Sequence, residues 1–360
     1  MSAVGRAFAL ARTIGNVRRG AACLPRLLTY TVTFTCNARC VMCDSWQKPA
    51  QDELTPAEIE RIAADLPPMD AVRLTGGEPF VRRDLTEIAH VLANAVRPAL
   101  LHVTTNGFLT DRIVAFCEAR PRRIPLNLLV SIDGVGAAHD AIRGRRGAFR
   151  DAMRTIEALA SRRKELRLNL AVNQTIVDAA GIAQYRELRA LLAPLRVHNQ
   201  VVVAYQASAT YALAHETNLA PAVPGAFEAF GGVARESFEE LFPALERDIR
   251  SYPPVERTVK RYYLDGIRNR LRGRAAVPNP PCVALQAHLR IFPNGDVPVC
   301  QFNSRRVGNL REQRFAELWA GAPASAERSW VRACPGCWAE CEVLPSAVYS
   351  GDLFRRAWPA

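Results

Sequence analysis

The chain of 360 residues has no apolar run approaching the roughly 18 residues that a membrane-spanning helix needs, which excludes a helical membrane protein. It also lacks the continuous apolar centre of a secretory signal, any internal repeat and any low-complexity tract. Ten cysteines in a chain without such a signal argue against a disulfide framework and for a cytoplasmic location. They are clustered rather than spread, which points to metal or redox chemistry. Acidic side chains are missing from residues 1–28, where Arg6, Arg12, Arg18, Arg19 and Arg26 accompany Leu10, Ile14 and Val17 at helical spacing. Such a segment reads as a basic helix packed on the domain that follows, with membrane-surface contact or a transit-peptide start as alternatives.

What is present is an ordinary globular balance. Hydrophobic residues make up 49%, with 24 Pro and 21 Gly, enough for a large core. The charge sum is 47 − 35 = +12, which favours acidic partners without naming one.

From residue 28 a regular rhythm begins. Leu28–Thr35 alternates apolar and polar, the period of a strand. Thr55-Pro56-Ala57-Glu58 opens a helix, with Thr at the N-cap, Pro at the first position and Glu completing a capping box. Strands are expected at Ala71–Leu74, Leu100–Thr105, Leu126–Ile132, Leu168–Ile176 and Val197–Tyr205. Helices fall between them, one capped by Asp84 with Glu87 as a second capping box, and another over Thr110–Glu118. Six strand–helix alternations imply parallel strands in an α/β fold, either an open barrel or a doubly wound sheet. In both, ligands gather where strand C-termini feed the loops. The rhythm stops near residue 206; Pro-rich joints follow, with a basic helix around Arg257–Arg272 that reads as a solvated face.

Cys36, Cys40 and Cys43 lie just past the first strand, spaced C-x3-C-x2-C. Thiolates this close on one loop converge on one centre, which holds zinc or an iron–sulfur cluster. Three donors leave one metal position open, as a site that must bind a substrate requires. Asp44 is a conceivable fourth ligand, though a hard donor at a soft site. Gly76-Gly77-Glu78-Pro79 follows the second strand at the same end of the fold. Its glycines let backbone approach a ligand, and Glu78 can accept hydrogen bonds from an ammonium group.

Together these motifs resemble the radical S-adenosylmethionine enzymes over roughly residues 28–205. The resemblance implies a partial (β/α)6 TIM-like barrel with a [4Fe–4S] cluster on Cys36, Cys40 and Cys43. Its open iron would chelate the amino and carboxylate groups of S-adenosylmethionine. Reductive cleavage would yield a 5′-deoxyadenosyl radical that takes hydrogen from a substrate. By the same resemblance the Gly76–Pro79 loop receives the methionine ammonium group. Asn106 (in TTNG) and Ser131 (in SIDG) stand at later strand-end motifs as cofactor contacts, and Arg143 (in HDAIRG) can pair with the cofactor's carboxylate. The residue before the third cysteine is commonly aromatic in the family; here it is Met42, whose thioether can contact the adenine face. An electron-donor protein such as flavodoxin or ferredoxin is implied as a partner.

Five more cysteines follow residue 280. The turn residues Phe292-Pro293-Asn294-Gly295-Asp296 suggest that Cys282 and Cys300 flank a hairpin. Cys334, Cys337 and Cys341 add C-x2-C-x3-C. The C-x12-G-x4-C step from Cys282 to Cys300 resembles the SPASM and twitch auxiliary-cluster domains. A full SPASM pattern offers seven cysteines; five imply a single auxiliary [4Fe–4S] cluster on four of Cys282, Cys300, Cys334, Cys337 and Cys341, with zinc as the rival. Cys117 reads as a buried core thiol, and Cys23 has no assignment. The domains are then 1–27, a basic N-terminal extension; 28–205, the barrel; 206–275, a helical connection; 276–345, the auxiliary-cluster domain; and 346–360, a tail.

Sulfatase-maturing relatives carry an aspartate after the cysteine matching Cys300; here it is Gln301, which cannot act as a base. That argues against sulfatase maturation, and the expectation is radical chemistry on a small molecule such as a sugar, lipid or cofactor intermediate. Maturation of a ribosomally made peptide is the alternative, and a non-catalytic, metal-stabilised nucleic-acid binder the remote one.

Overall fold

The structure is a computed structural model that describes residues 3–43, 45–47, 52–204, 235–272, 277–334 and 336–357. Asp44, the last residue of the expected strand Val197–Tyr205, and residues 206–234 and 273–275 of the connecting segment lie outside the described residues.

Helix α1 (Ala3–Arg18) precedes β1 (Leu27–Thr33). The alternation then runs α2 (Pro56–Ala64), β2 (Ala71–Gly76), α3 (Leu85–Ala95), β3 (Leu100–Thr105), α4 (Thr110–Ala119) and β4 (Leu126–Ser131). It continues with α5 (Ala137–Arg143), α6 (Ala148–Ala160), β5 (Leu168–Ile176), α7 (Ala180–Leu192) and β6 (His198–Val203). Next come α8 (Arg235–Ile249), α9 (Pro254–Leu271), β7 (His288–Ile291), β8 (Asp296–Pro298) and β9 (Arg306–Asn309). The chain ends in α10 (Phe315–Ala320), α11 (Ala322–Ala333), α12 (Glu340–Tyr349) and α13 (Asp352–Ala357).

The main sheet has the order β6-β5-β4-β3-β2-β1-β7, with every pair parallel. From β1 to β6 neighbours in space are neighbours in sequence, so no reversal of order appears and the doubly wound alternative is excluded. An open barrel results. Residues of one strand parity, such as Leu28, Tyr30, Val32, Leu74 and Val103, are buried under α2, α3, α4 and α6 with Ile59, Ile88, Ile113 and Ile156. Each such side chain contributes about 1.5–3 kcal/mol on burial. The other parity faces inward and is largely polar.

The expected hairpin between Cys282 and Cys300 does not form. β7 pairs in parallel with β1, from Leu27↔His288 to Tyr30↔Ile291, and extends the barrel sheet. The turn then leads away, and β8 pairs antiparallel with β9 instead. The free edge of β1 explains this: Leu289 and Ile291 join the shared core, and His288 and Arg290 take the inward parity. The segment after residue 276 thus completes the barrel as well as carrying the second cysteine set.

Two helices lie across the sheet's open side. Lys260 on α9 pairs with Glu340 on α12 at 2.9 Å, and the rings of Tyr262 and Tyr263 stack near the buried Trp338. Gly266 makes room for that indole, since a Cβ there would lie 1.8 Å from its ring. α1 docks beneath: Arg6 donates to Met69 O and Arg97 O, and Arg18 to Ser350 O. No described helix is long and apolar enough to cross a membrane.

The Thr55 capping box forms as expected. The second one does not, because Arg82 takes the Asp84 carboxylate in a bidentate pair (2.9 and 2.6 Å) while also donating to Val32 O and Leu54 O. Cys117 is fully buried, and Cys23 packs beside Val17 and Leu27.

Candidate active site

The first cysteine loop leaves β1 at Thr33 and is pinned from two sides. On one side, Arg39 N–H donates to Arg143 O (2.9 Å) and Val41 N–H to Ile142 O (3.0 Å), so the end of α5 runs along the loop. Gly144 caps that helix at φ 60°, and a Cβ there would stand 2.4 Å from Arg39 O. Only glycine permits both the conformation and the approach. On the other side, Gly77 N–H donates to Thr33 O (2.8 Å) and Glu78 N–H to Thr35 O (2.9 Å). Cβ atoms at Gly76 and Gly77 would fall 2.2 and 2.3 Å from the same two carbonyl oxygens. The glycine pair thus lets the second strand's loop close on the cysteine loop.

Glu78 is buried, and its carboxylate accepts from Thr105 Oγ1 (2.8 Å), Asn106 N (2.7 Å) and Phe80 N (3.1 Å). It ties the end of β2 to the end of β3. Burial still dominates and pushes its carboxyl up to about 7. Asn106 Nδ2 donates to Asn37 Oδ1 at 2.6 Å, fastening β3 to the cysteine loop. Arg143 pairs with the buried Asp133 at 2.7 Å, and its Nη1 lies 3.6 Å from Cys40 Sγ. Its first carboxylate partner is therefore within the chain. Asp133 N–H donates to His139 Nδ1, and burial lowers that imidazole to about 2, so it stays neutral.

A cavity of about 1220 Å³ runs through the barrel. Cys36, Cys40, Met42, Cys43, Gly76, Gly77, Asn106, Ser131 and Arg143 all line it; Glu78 and Pro79 do not. Burial raises the Cys36 thiol to about 12, so thiolate forms there when a metal displaces the proton. No three His, Cys, Asp or Glu among the described residues are gathered as ligands of one metal ion. Donors that each take a different iron of a cluster need not converge that closely, and soft thiols suit such a group.

Within the second set, Cys282 lies within electrostatic reach of Cys334, and Cys337 within reach of both Cys282 and Cys300, while Cys300, Cys337 and Cys341 all pack against the small cluster of Phe302 and Ala339. Burial, followed by the Glu342 carboxylate, pushes the Cys282, Cys300 and Cys337 thiols up. Cys341 faces the cavity, where its thiol donates to Gln301 Oε1 and its carbonyl accepts from Arg73 Nη1 at 2.8 Å. Glu342, buried behind it, accepts from Arg290 at 2.7 Å and lies 3.2 Å from His288 Nδ1. Burial opposes ionisation of Glu342, but His288 and Arg290 outweigh it and hold the carboxyl well below its usual range.

Sequence reasoning missed an inward polar tier. Register aligns Arg290, Thr29, Arg73, His102, Asn127 and Asn169 across six adjacent strands, and all six line the cavity. The signal was available in the strand alternation, whose polar phase marks the inner face.

Comparison with known proteins agrees with this architecture. Residues 30–176 match the Radical SAM superfamily, and residues 282–341 match an iron–sulfur cluster-binding SPASM domain. An AdoMet-dependent heme synthase of Oleidesulfovibrio alaskensis is 25% identical over 82% of this chain and 74% of that protein. One of Methanosarcina barkeri is 28% identical, covering 83% of each. The crystal structure of Streptococcus suis SuiB bound to S-adenosylmethionine superposes with a TM-score of 0.59 at 14% identity, covering 89% of this chain and 71% of that one. Family models, curated relatives and fold converge with the cysteine spacing: this chain is a radical S-adenosylmethionine enzyme with a C-terminal SPASM iron–sulfur domain, and iron–sulfur clusters and S-adenosylmethionine are its cofactors.

Proposed function

We propose that Cys36, Cys40 and Cys43 hold the cluster that engages S-adenosylmethionine, and that the enzyme removes hydrogen from a small molecule bound deeper in the barrel. The observation that carries this is convergence: three thiols, Met42, the Gly76–Gly77 backbone, Asn106 and Ser131 face one cavity at the strands' C-terminal ends. When bound, the cofactors supply an electron and a 5′-deoxyadenosyl radical able to take a hydrogen atom, chemistry no side chain offers. The chain's own residues position and protect. Glu78, Asn106 and Gly77 keep the cysteine loop in register with β2 and β3. Arg143 brings a cation within 3.6 Å of Cys40 Sγ, at the edge of the thiol set. α9 and α12 cover the barrel's open side, which restricts water.

Cys282, Cys300, Cys334 and Cys337 are proposed as the auxiliary-cluster ligands, with Cys341 outside the set. Their mutual proximity supports this, as does the position of Cys341 on the cavity wall. A small-molecule substrate is supported by relatives that are named for heme synthesis and match most of both chains. The peptide alternative has only a shared fold behind it, with SuiB also solved bound to its precursor peptide SuiA.

The test is anaerobic reconstitution followed by reduction with dithionite. The protein is expected to convert S-adenosylmethionine to 5′-deoxyadenosine, and Cys40→Ala to abolish the conversion. Undiminished conversion by Cys40→Ala would overturn the assignment.

A further inference from the structure

We infer that Arg73 is the anchor for an anionic group of the substrate, a carboxylate or a phosphate, bound in mid-barrel between the two cysteine sets. This rests on reading the cavity as the substrate chamber.

Arg73 stands on β2 one inward step below Thr75, with Thr29 beside it on β1 and His102 beside it on β3. Barrel interiors are ordinarily filled by branched apolar side chains. Here the tier is open to the cavity and bears guanidinium groups. Three cations of the cavity wall are matched within the chain: Arg143 with Asp133 (2.7 Å), Lys260 with Glu340 (2.9 Å) and Arg290 with Glu342 (2.7 Å). Arg163, Lys164 and Arg167 also line the cavity without an ion pair among the described residues, but Arg73 is the unmatched cation that stands on the polar tier. Among the described residues it has no carboxylate partner, and its hydrogen bond is one from Nη1 to Cys341 O at 2.8 Å.

A guanidinium offers five N–H donors in a planar fork suited to carboxylate and phosphate. One is taken by the Cys341 carbonyl, so the remaining edge can meet an anion in the cavity. Removing a cation from bulk water without a counter-charge is unfavourable, and an arriving anion reverses that cost. The neighbours favour the same ligand. Asn127 Nδ2 donates to His102 Nδ1 at 2.9 Å and Asn169 Nδ2 to Asn127 Oδ1 at 3.2 Å, which sets uncharged groups on β3, β4 and β5 between Arg73 and the Glu256 carboxylate, 3.5 Å from Asn169 Nδ2. Burial, reinforced by the Arg73 charge, lowers His102 to about 3, so it adds no competing charge.

The experiment uses the full chain, anaerobically reconstituted and saturated with S-adenosylmethionine. It is titrated in a calorimeter with succinate, with glycerol 3-phosphate and with neutral succinamide. One of the two anions is expected to bind at least about tenfold more tightly than succinamide, and which one does identifies the headgroup. Arg73→Gln is expected to weaken that binding by about ten- to hundredfold, the loss that charge-assisted hydrogen bonds predict, and Arg73→Lys to restore part of it. Iron content near about eight per chain certifies that each variant is loaded.

Equal anion affinity in Arg73→Gln and the parent overturns the inference. So does a loss seen only in Arg167→Gln, at another part of the cavity wall, and so does failure of either anion to outbind succinamide. Anion binding that depends on Arg73 sustains it even if the parent fails to cleave S-adenosylmethionine, a failure that would count against the radical reading alone.

Discussion

Gly144→Ala is the sharpest probe of how the first cysteine loop is held. Gly144 sits at φ 60° and ψ 33°, left-handed backbone that costs an L-residue about 1–2 kcal/mol. Its added Cβ would lie 2.4 Å from Arg39 O, well inside the roughly 3.3 Å of an ordinary CH···O contact. The loop must retreat by about 0.9 Å, the difference between those two distances. That retreat strains the bonds from Arg39 N and Val41 N to the end of α5, each worth about 1 kcal/mol net. Loss of both brings the total to about 3–4 kcal/mol. The cost falls on the segment bearing Cys36, Cys40 and Cys43 rather than on the whole core.

Iron is therefore expected to fall from about eight to about four atoms per chain, with the auxiliary set still loaded. S-adenosylmethionine cleavage should drop below about a tenth of the parent rate. Gly147→Ala separates strain from clash: that glycine is also left-handed, at φ 78°, but its nearest neighbour is the mobile end of Arg150 at 3.1 Å. It should keep its iron. If Gly144→Ala retains about eight iron atoms and cleaves within about twofold of the parent, the loop does not depend on this approach and the reasoning fails.

Alanine at Cys282, Cys300, Cys334 or Cys337 should each remove about four iron atoms, whereas Cys341→Ala should retain about eight; iron analysis with electron paramagnetic resonance decides. Glu342→Gln leaves Arg290 without its buried counter-charge, so thermal unfolding should shift down by roughly 6–15 °C, from about 3–5 kcal/mol. Glu78 gives a pH signature. Burial raises its carboxyl from 4.5 to about 7, so its contribution to stability is full below 4.5 and is lost as pH rises through about 7. Between pH 5 and 8 the apoprotein should lose up to about 3 kcal/mol that Glu78→Gln does not lose, followed by urea unfolding. The Cys36 and Cys282 thiols stay protonated throughout that window, because burial moves them upward.

The strand–helix alternation was legible because the period of two survives in nearly every strand from β1 to β6. β7 was not, for a physical reason. His-Leu-Arg-Ile is only four residues, and whether it forms a hairpin or joins β1 depends on an exposed edge far away in sequence. The Asp84 cap failed similarly: Arg82, two residues earlier, outbids backbone N–H groups for the carboxylate. Gly76-Gly77 marked the right place but for an incomplete reason, since their bare backbone accommodates the Thr33–Thr35 carbonyls as well as lining the cavity. Cysteine spacing disclosed two thiol groups. It left open which four of the five later thiols bind together; the proposed exception, Cys341, lies where α12 begins and lines the cavity.

The polar tier argues most directly for a chamber that serves a ligand. Leucine or valine at Arg73, His102, Asn127 and Asn169 would fill the interior with the branched apolar packing usual in barrels. A barrel shaped by stability alone would favour such residues. This one keeps charged and amide groups open to a cavity, with Cys36, Cys40 and Cys43 on its wall. Gln301 and Cys341, which adjoin the second cysteine set, form another part of that wall. A wall of that chemistry suits a charged or strongly polar ligand between the two sets, the kind of ligand the Arg73 proposal requires.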